Sequence, residues 1–212
     1  MILVVEGISA AGKTTWCRDK AAGRLVRETF PSDRQLQPAE GEATARYWTD
    51  WNAGRWADAV AIEAREGWAV CDTDPLKLHF LWSLWQIGEA SEAQWRLQRD
   101  ATRRAIAGRR LGFADLYAVK IIEPDVARRQ RDADTTRSRD RFDLHVRLQP
   151  ALVHWYRTLE TILDGRVLWH LPEALPDPAD VTLNPFRYDV DAFDAFVSAL
   201  PHGLSWSMSG SN

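Results

Sequence analysis

A chain of 212 residues with a net charge of −3 is long enough for one sizeable α/β domain and does not require a second. The small net charge argues against a nucleic-acid-binding surface or a charged tail, and Cys17 and Cys71 fit no metal-ligand spacing, so they read as buried thiols in a reducing compartment. No apolar run reaches the roughly 18 residues of a membrane span, and Met1 leads straight into an apolar strand without room for a signal peptide. A cytoplasmic protein with neither nucleic-acid nor membrane partners is expected.

Ile2-Leu3-Val4-Val5 is a short apolar run suited to a buried parallel strand. Gly7-Ile8-Ser9-Ala10-Ala11-Gly12-Lys13-Thr14 follows, with Thr15 behind it, and has the spacing of a Walker A phosphate loop. Glycines at both ends let the backbone approach phosphate closely, and Thr14 to Ala22 is helix-compatible, which sets the anion at a helix N-terminus. Lys13 can then reach β- and γ-phosphates, and the Thr14 hydroxyl can ligate Mg²⁺. Residues 7–15 are thus the expected ATP-binding loop.

Arg24 to Arg27 reads as a second strand, closed by Glu28 and broken at Pro31-Ser32-Asp33. Ala39 to Glu66 is helical in pattern, with Trp48, Trp51, Ala59 and Ile62 on one broad face and Gly54 weakening the middle. Gly67 to Cys71 reads as a third strand ending at Asp72-Thr73-Asp74-Pro75, where Pro75 suits the first turn of a helix through Trp85 and Asp74 suits its N-cap. Ser91, with Glu92 and Gln94, opens another helix that stops near Gly108.

Leu116 to Ile122 is the fourth strand, and a short helix from Asp125 leads into an Arg-rich stretch, Arg128 to Arg141. Phe142 to Leu163 is a long helix that Pro150 should kink or divide. Arg166 to Leu171 is the fifth strand, 172–185 is loop, Val190 to Leu200 is a closing helix, and the Ser/Gly-rich tail from 203 is expected to be disordered. Strands alternating with helices predict a five-stranded parallel sheet covered on both faces, with ligands at the carboxyl ends of the strands. Glu28, Asp72 and Asp74 would then gather beside the phosphate loop.

No Asn-Lys-x-Asp guanine reader and no Gly-rich transporter signature is present, which leaves a small phosphotransferase or another ATPase. Val5-Glu6-Gly7 with Ala11-Gly12-Lys13-Thr14-Thr15 resembles the first strand and loop of thymidylate and deoxynucleoside kinases, members of the P-loop NTPase fold. Arg27-Glu28 is similar to their Arg-Glu-Pro at the end of the second strand, and Asp72 to the acidic residue that opens their motif after the third. Arg128, Arg129 and Arg131 stand where that family carries lid arginines. The resemblance implies transfer of the γ-phosphate of ATP, with Mg²⁺, to a small-molecule acceptor, a nucleoside or nucleotide, and leaves a homodimer open. Thr73 departs from it, since the family has an arginine there.

Glu28 and Asp72 are rival candidates for the general base, and Asp72 with Thr14 is the candidate Mg²⁺ pair. Arg128 and Arg131 are the expected phosphate contacts of an Arg-rich lid over 128–141. His79, Phe80, Trp82 and Trp85 could line an acceptor pocket, although aromatics at helical spacing also suit a core. Thr73 and the tryptophans keep an O-phosphotransferase acting on an antibiotic or other natural product open as the acceptor class. A non-catalytic ATP sensor is the third reading.

Overall fold

The computed structural model describes residues 1–31, 38, 41–133 and 141–201. Five strands, β1 (Ile2–Gly7), β2 (Leu25–Val26), β3 (Ala69–Asp72), β4 (Leu116–Lys120) and β5 (Val167–Leu168), alternate with α1 (Lys13–Lys20), α2 (Glu42–Glu66), α3 (Leu78–Gln86), α4 (Glu92–Ala107), α5 (Pro124–Ala133), α6 (Phe142–Ile162) and α7 (Val190–Ala199). All strand pairs are parallel, in the order β2-β3-β1-β4-β5. The predicted α/β architecture is what forms.

Alternation along β1 explains how the sheet is covered. Leu3 and Val5 join Cys17 of α1, Ala21 just after it, Val70 and Ala118 in a small core on one face. Ile2 and Val4 face a larger core with Trp56, Trp82, Trp155, Tyr156 and Phe196, contributed by α2, α3, α6 and α7. Both cysteines are free and buried, and burial pushes both thiols up. They are packing residues.

Chain order places β1 in the centre while the connections from β1 and β3 leave in different directions. The loops after β1 and β3 therefore bound a crevice at the carboxyl end of the sheet.

Three local expectations are corrected. Gly67 is not in β3: it ends α2 with φ 80, a left-handed cap that glycine adopts without steric cost, and the strand starts at Ala69. Of the two outcomes expected at Pro150, division does not occur: α6 runs unbroken from Phe142 to Ile162. The proline ring is on the exposed face, while Leu148, Ala151, Leu152, Trp155 and Tyr156 bury the helix on both sides of it and outweigh a proline cost of about 3 kcal/mol. Asp74 does not cap a helix beginning at Pro75. Its carboxylate accepts from the Leu76 amide at 2.9 Å, its carbonyl closes a turn onto Lys77 N at 3.0 Å, and α3 begins only at Leu78. Residues 134–140 of the Arg-rich stretch and the tail from 202 lie outside the described residues.

At the amino ends of the strands, Asp115 is fully buried and accepts from the amides of Ile2 and Asn184, each at 2.6 Å, and from Arg187. Arg187 also forks onto Glu63, which pairs with the Met1 ammonium. Removing Arg187 leaves the fully buried Asp115 carboxylate without its counter-charge, so Arg187→Ala should cost about 3–5 kcal/mol of stability. Urea unfolding checks this; a loss under about 1 kcal/mol would mean that the network does not hold the strand ends. Ligand affinity of the folded protein should be unchanged, because the crevice is at the other end of the sheet.

Candidate active site

The phosphate loop joins the carboxyl end of β1 to α1. Gly7 has φ 152, and a Cβ there would be 2.6 Å from the Lys120 carbonyl, so only glycine lets β4 and the loop approach. Gly12 precedes α1 with φ 84, and no side chain caps the helix. The first-turn amides are left for an anion, reinforced by the helix dipole. Residues Gly7 to Thr15 all line a cavity of about 990 Å³. Lys13 arches over the loop, its ammonium on the Gly7 and Ile8 carbonyls, the latter at 3.1 Å.

The structure brings Thr14 and Asp72 together. The Thr14 hydroxyl donates to Asp72 Oδ2 at 2.8 Å, while Asp72 Oδ1 is buried with no hydrogen-bond partner. Burial pushes the Asp72 carboxyl up, against the pull of Thr14 and Lys13. An unsatisfied carboxylate oxygen beside a hydroxyl is a fitting oxygen pair for Mg²⁺, which takes one or two protein oxygens and completes its octahedron with phosphate and water. No cluster of three acidic, His or Cys side chains exists among the described residues, so any metal here would rely on such outside ligands.

Glu28 follows β2 and lines the same cavity, where it is ion-paired with Lys77. Burial raises its pKa, but contact with Lys77, with Lys13 and Arg55 nearby, brings it down to about 2. It is an ionised carboxylate held by a cation.

Arg128 and Arg131 are not brought to this cavity. They sit on α5 paired with Asp125 and Asp132, and Arg131 also stacks over Phe142. Gln130 and Arg141 line the cavity instead.

Two buried charged residues that sequence reasoning passed over organise the site. Glu6, the last carboxylate before the loop, accepts from Gly7 N at 2.8 Å and Asp74 N at 3.1 Å, with His79 Nε2 at 3.3 Å. Burial raises its pKa, yet His79, Lys13, Lys77 and the Gly7 amide together lower it. Glu6 thereby ties the start of the phosphate loop to the turn before α3. A lone glutamate ending an apolar strand was the available signal. Arg55 of α2 is 4% exposed and donates to the Asp72 and Thr73 carbonyls, each at 2.9 Å, and to Arg27 O at 3.2 Å. It straps the ends of β2 and β3, fixing Glu28 relative to Asp72.

Backbone strain gathers here as well. Ala10, Thr73 and Lys77 have φ of 67, 74 and 50, and all three line the cavity. Such conformations persist where surrounding contacts over-determine them, commonly at functional sites.

A second cavity of about 410 Å³ lies between α2, α3 and α4, walled by Trp48, Trp51, Leu81, Leu84 and Leu97. Asn52, 7% exposed, offers it an amide. Trp51 Nε1 donates to Thr29 O at 3.0 Å and so fastens the segment carrying Glu28. The expected pocket aromatics are divided differently. Trp82 is buried against Trp155 and Trp85 stacks on Trp95, both part of the core, whereas Phe80 lines both cavities and His79 the larger one. The two cavities share Glu28, Phe30, Lys77, Phe80 and Arg141.

No protein-family model matches this chain, and no curated protein matches it in sequence. Among the described residues no helix is long and apolar enough to cross a membrane.

Proposed function

We propose that the protein is an ATP- and Mg²⁺-dependent small-molecule kinase of the cytoplasm with a P-loop NTPase fold. One observation carries this reading: a phosphate-loop cavity and an apolar cavity meet at a carboxylate, Glu28, as a phosphoryl donor and an acceptor hydroxyl must. In this reading the loop amides and Lys13 hold the β- and γ-phosphates, and Thr14 and Asp72 hold Mg²⁺. The ion would supply charge neutralisation between those phosphates. Glu28, on the acceptor side, takes the proton of the attacking hydroxyl. Asp72, committed to Thr14, belongs to the metal side. In loose phosphoryl transfer the base is asked for little until late, so an acidic carboxylate suffices.

The character of the second cavity supports an unphosphorylated acceptor: a nucleoside, or a hydroxylated natural product with a flat apolar body. Arg55 is occupied by three carbonyls, and the other cations that line this cavity among the described residues, Lys77 and Arg141, also line the phosphate-loop cavity, so none is dedicated to an acceptor phosphate. A nucleotide acceptor would want a dedicated cation deeper in that cavity.

ADP release from MgATP, measured with a panel of nucleosides and of hydroxylated natural products, tests the reading. One class should raise ADP release well above the rate with water alone. Trp48→Ala should then raise the acceptor KM about tenfold, through lost aromatic contact, and leave the ATP KM nearly unchanged. ADP release indifferent to every acceptor would favour an ATP sensor.

A further inference from the structure

Thr73 leaves the seam between the two cavities without a charge at the position after Asp72, yet a cation stands there from another residue. Lys77 lines both cavities and its ammonium is paired with Glu28. The side chains of Lys77 and Glu28 are only 25% and 31% exposed. Lys77 reaches this place through an uncommon backbone conformation, φ 50, fixed by the hydrogen bond its backbone N–H donates to Asp74 O and by the one Leu76 N donates to the Asp74 carboxylate. Asp74 is in turn buried, 3.3 Å from the Tyr156 hydroxyl. A turn built from Asp74 to Lys77 thus aims one flexible ammonium at the seam.

Two neighbouring cations are committed elsewhere. Arg55 is saturated by backbone carbonyls, and Lys13 belongs to the loop. A lysine is a compact charge with three donors on a rotatable stem, suited to change partners.

We propose that Lys77 is a catalytic cation that exchanges partners during the reaction. This inference rests on the kinase reading above. With acceptor and ATP in place, the ammonium moves from Glu28 to the oxygens of the phosphoryl group in transit. The acceptor oxygen forms its bond to the γ-phosphorus as the bond from that phosphorus to the β–γ bridging oxygen breaks, and ADP leaves with that electron pair. The acceptor proton passes to the Glu28 carboxylate, released from its pair, and Lys77 stays protonated throughout. The ground-state pair keeps Glu28 ionised and turned to the seam; the exchange provides positive charge where it develops a counterpart only in the transition state.

The experiment compares binding of MgADP, alone and with aluminium fluoride as a mimic of the phosphoryl group in transit, to the wild type, Lys77→Met and Lys77→Arg. Calorimetry should give MgADP affinities within about twofold of one another in all three proteins. Aluminium fluoride should tighten MgADP binding in the wild type. That tightening should fall tenfold or more in Lys77→Met and be restored in part in Lys77→Arg. Equal tightening in wild type and Lys77→Met overturns the proposal, as does a wild type that gains nothing from aluminium fluoride. Unchanged MgADP affinity shows that each variant is folded, and Lys77→Gln serves in place of a variant that is not. Failure of the wild type to bind MgADP at all would instead overturn the kinase reading itself.

Discussion

Lys13→Ala is expected to lower the rate of ADP formation by about 10² or more while leaving the fold intact. Lys13 is the first residue of α1, half-buried, and among the described residues its ammonium hydrogen-bonds to the Gly7 and Ile8 carbonyls of its own loop. Truncation therefore removes no core packing. What it removes is a charge that can follow the β- and γ-phosphates as negative charge shifts onto the leaving oxygen, at a helix terminus that already concentrates positive potential there. Circular dichroism should be unchanged and steady-state ADP release should collapse. A variant turning over at the wild-type rate would exclude phosphoryl transfer at this loop.

Asp72→Asn is expected to raise the Mg²⁺ concentration needed for half-maximal activity by about 10- to 100-fold, because an amide oxygen is a poorer ligand for a hard cation than a carboxylate. Stability should move the other way. Burial raises the pKa of Asp72 in the folded protein, so its ionised form costs stability at neutral pH, and that penalty fades as pH falls through the raised value and is gone below the ordinary carboxylate value of about 4. The substituted amide carries no such charge. The variant should therefore melt at the same temperature or higher at pH 7, an advantage that shrinks towards pH 3. A carboxylate kept at the expense of stability is what a metal ligand looks like. A lower Tm together with an unaltered Mg²⁺ requirement would assign Asp72 to the framework instead.

Glu6 and Arg55 show why parts of the site were not legible. Each is an ordinary charged residue in its own segment, one at the end of a strand and one in a 25-residue helix. Their meaning comes from partners far along the chain, the Asp74 amide and His79 for one and the Asp72 and Thr73 carbonyls for the other. The arginines of α5 make the converse case. Their placement after β4 suggests phosphate contacts, whereas in this structure Arg128 and Arg131 each pair with an aspartate within a turn of helix or less and do not line the cavity.

The tryptophans divide along the same line. Trp48, Trp51, Trp82 and Trp85 all carry helical spacing, which says that each faces something apolar but not whether that is packed side chains or open space. Only the arrangement of α2, α3 and α4 decided that Trp82 and Trp85 close a core while Trp48 and Trp51 wall a cavity.

By itself the sequence determined what is local: the backbone of Gly7 to Thr15, where glycines and a following uncapped helix leave first-turn amides open, and the alternation of apolar strands with amphipathic helices that makes a parallel sheet. Those features depend on residues within a turn or a strand of one another. The tertiary structure alone decided which carboxylate meets which partner: Asp72 with Thr14, Glu28 with Lys77, Glu6 beneath the loop. Burial and pairing set the chemistry of a charged group, and both arise only when segments dozens of residues apart are pressed together and water is excluded between them.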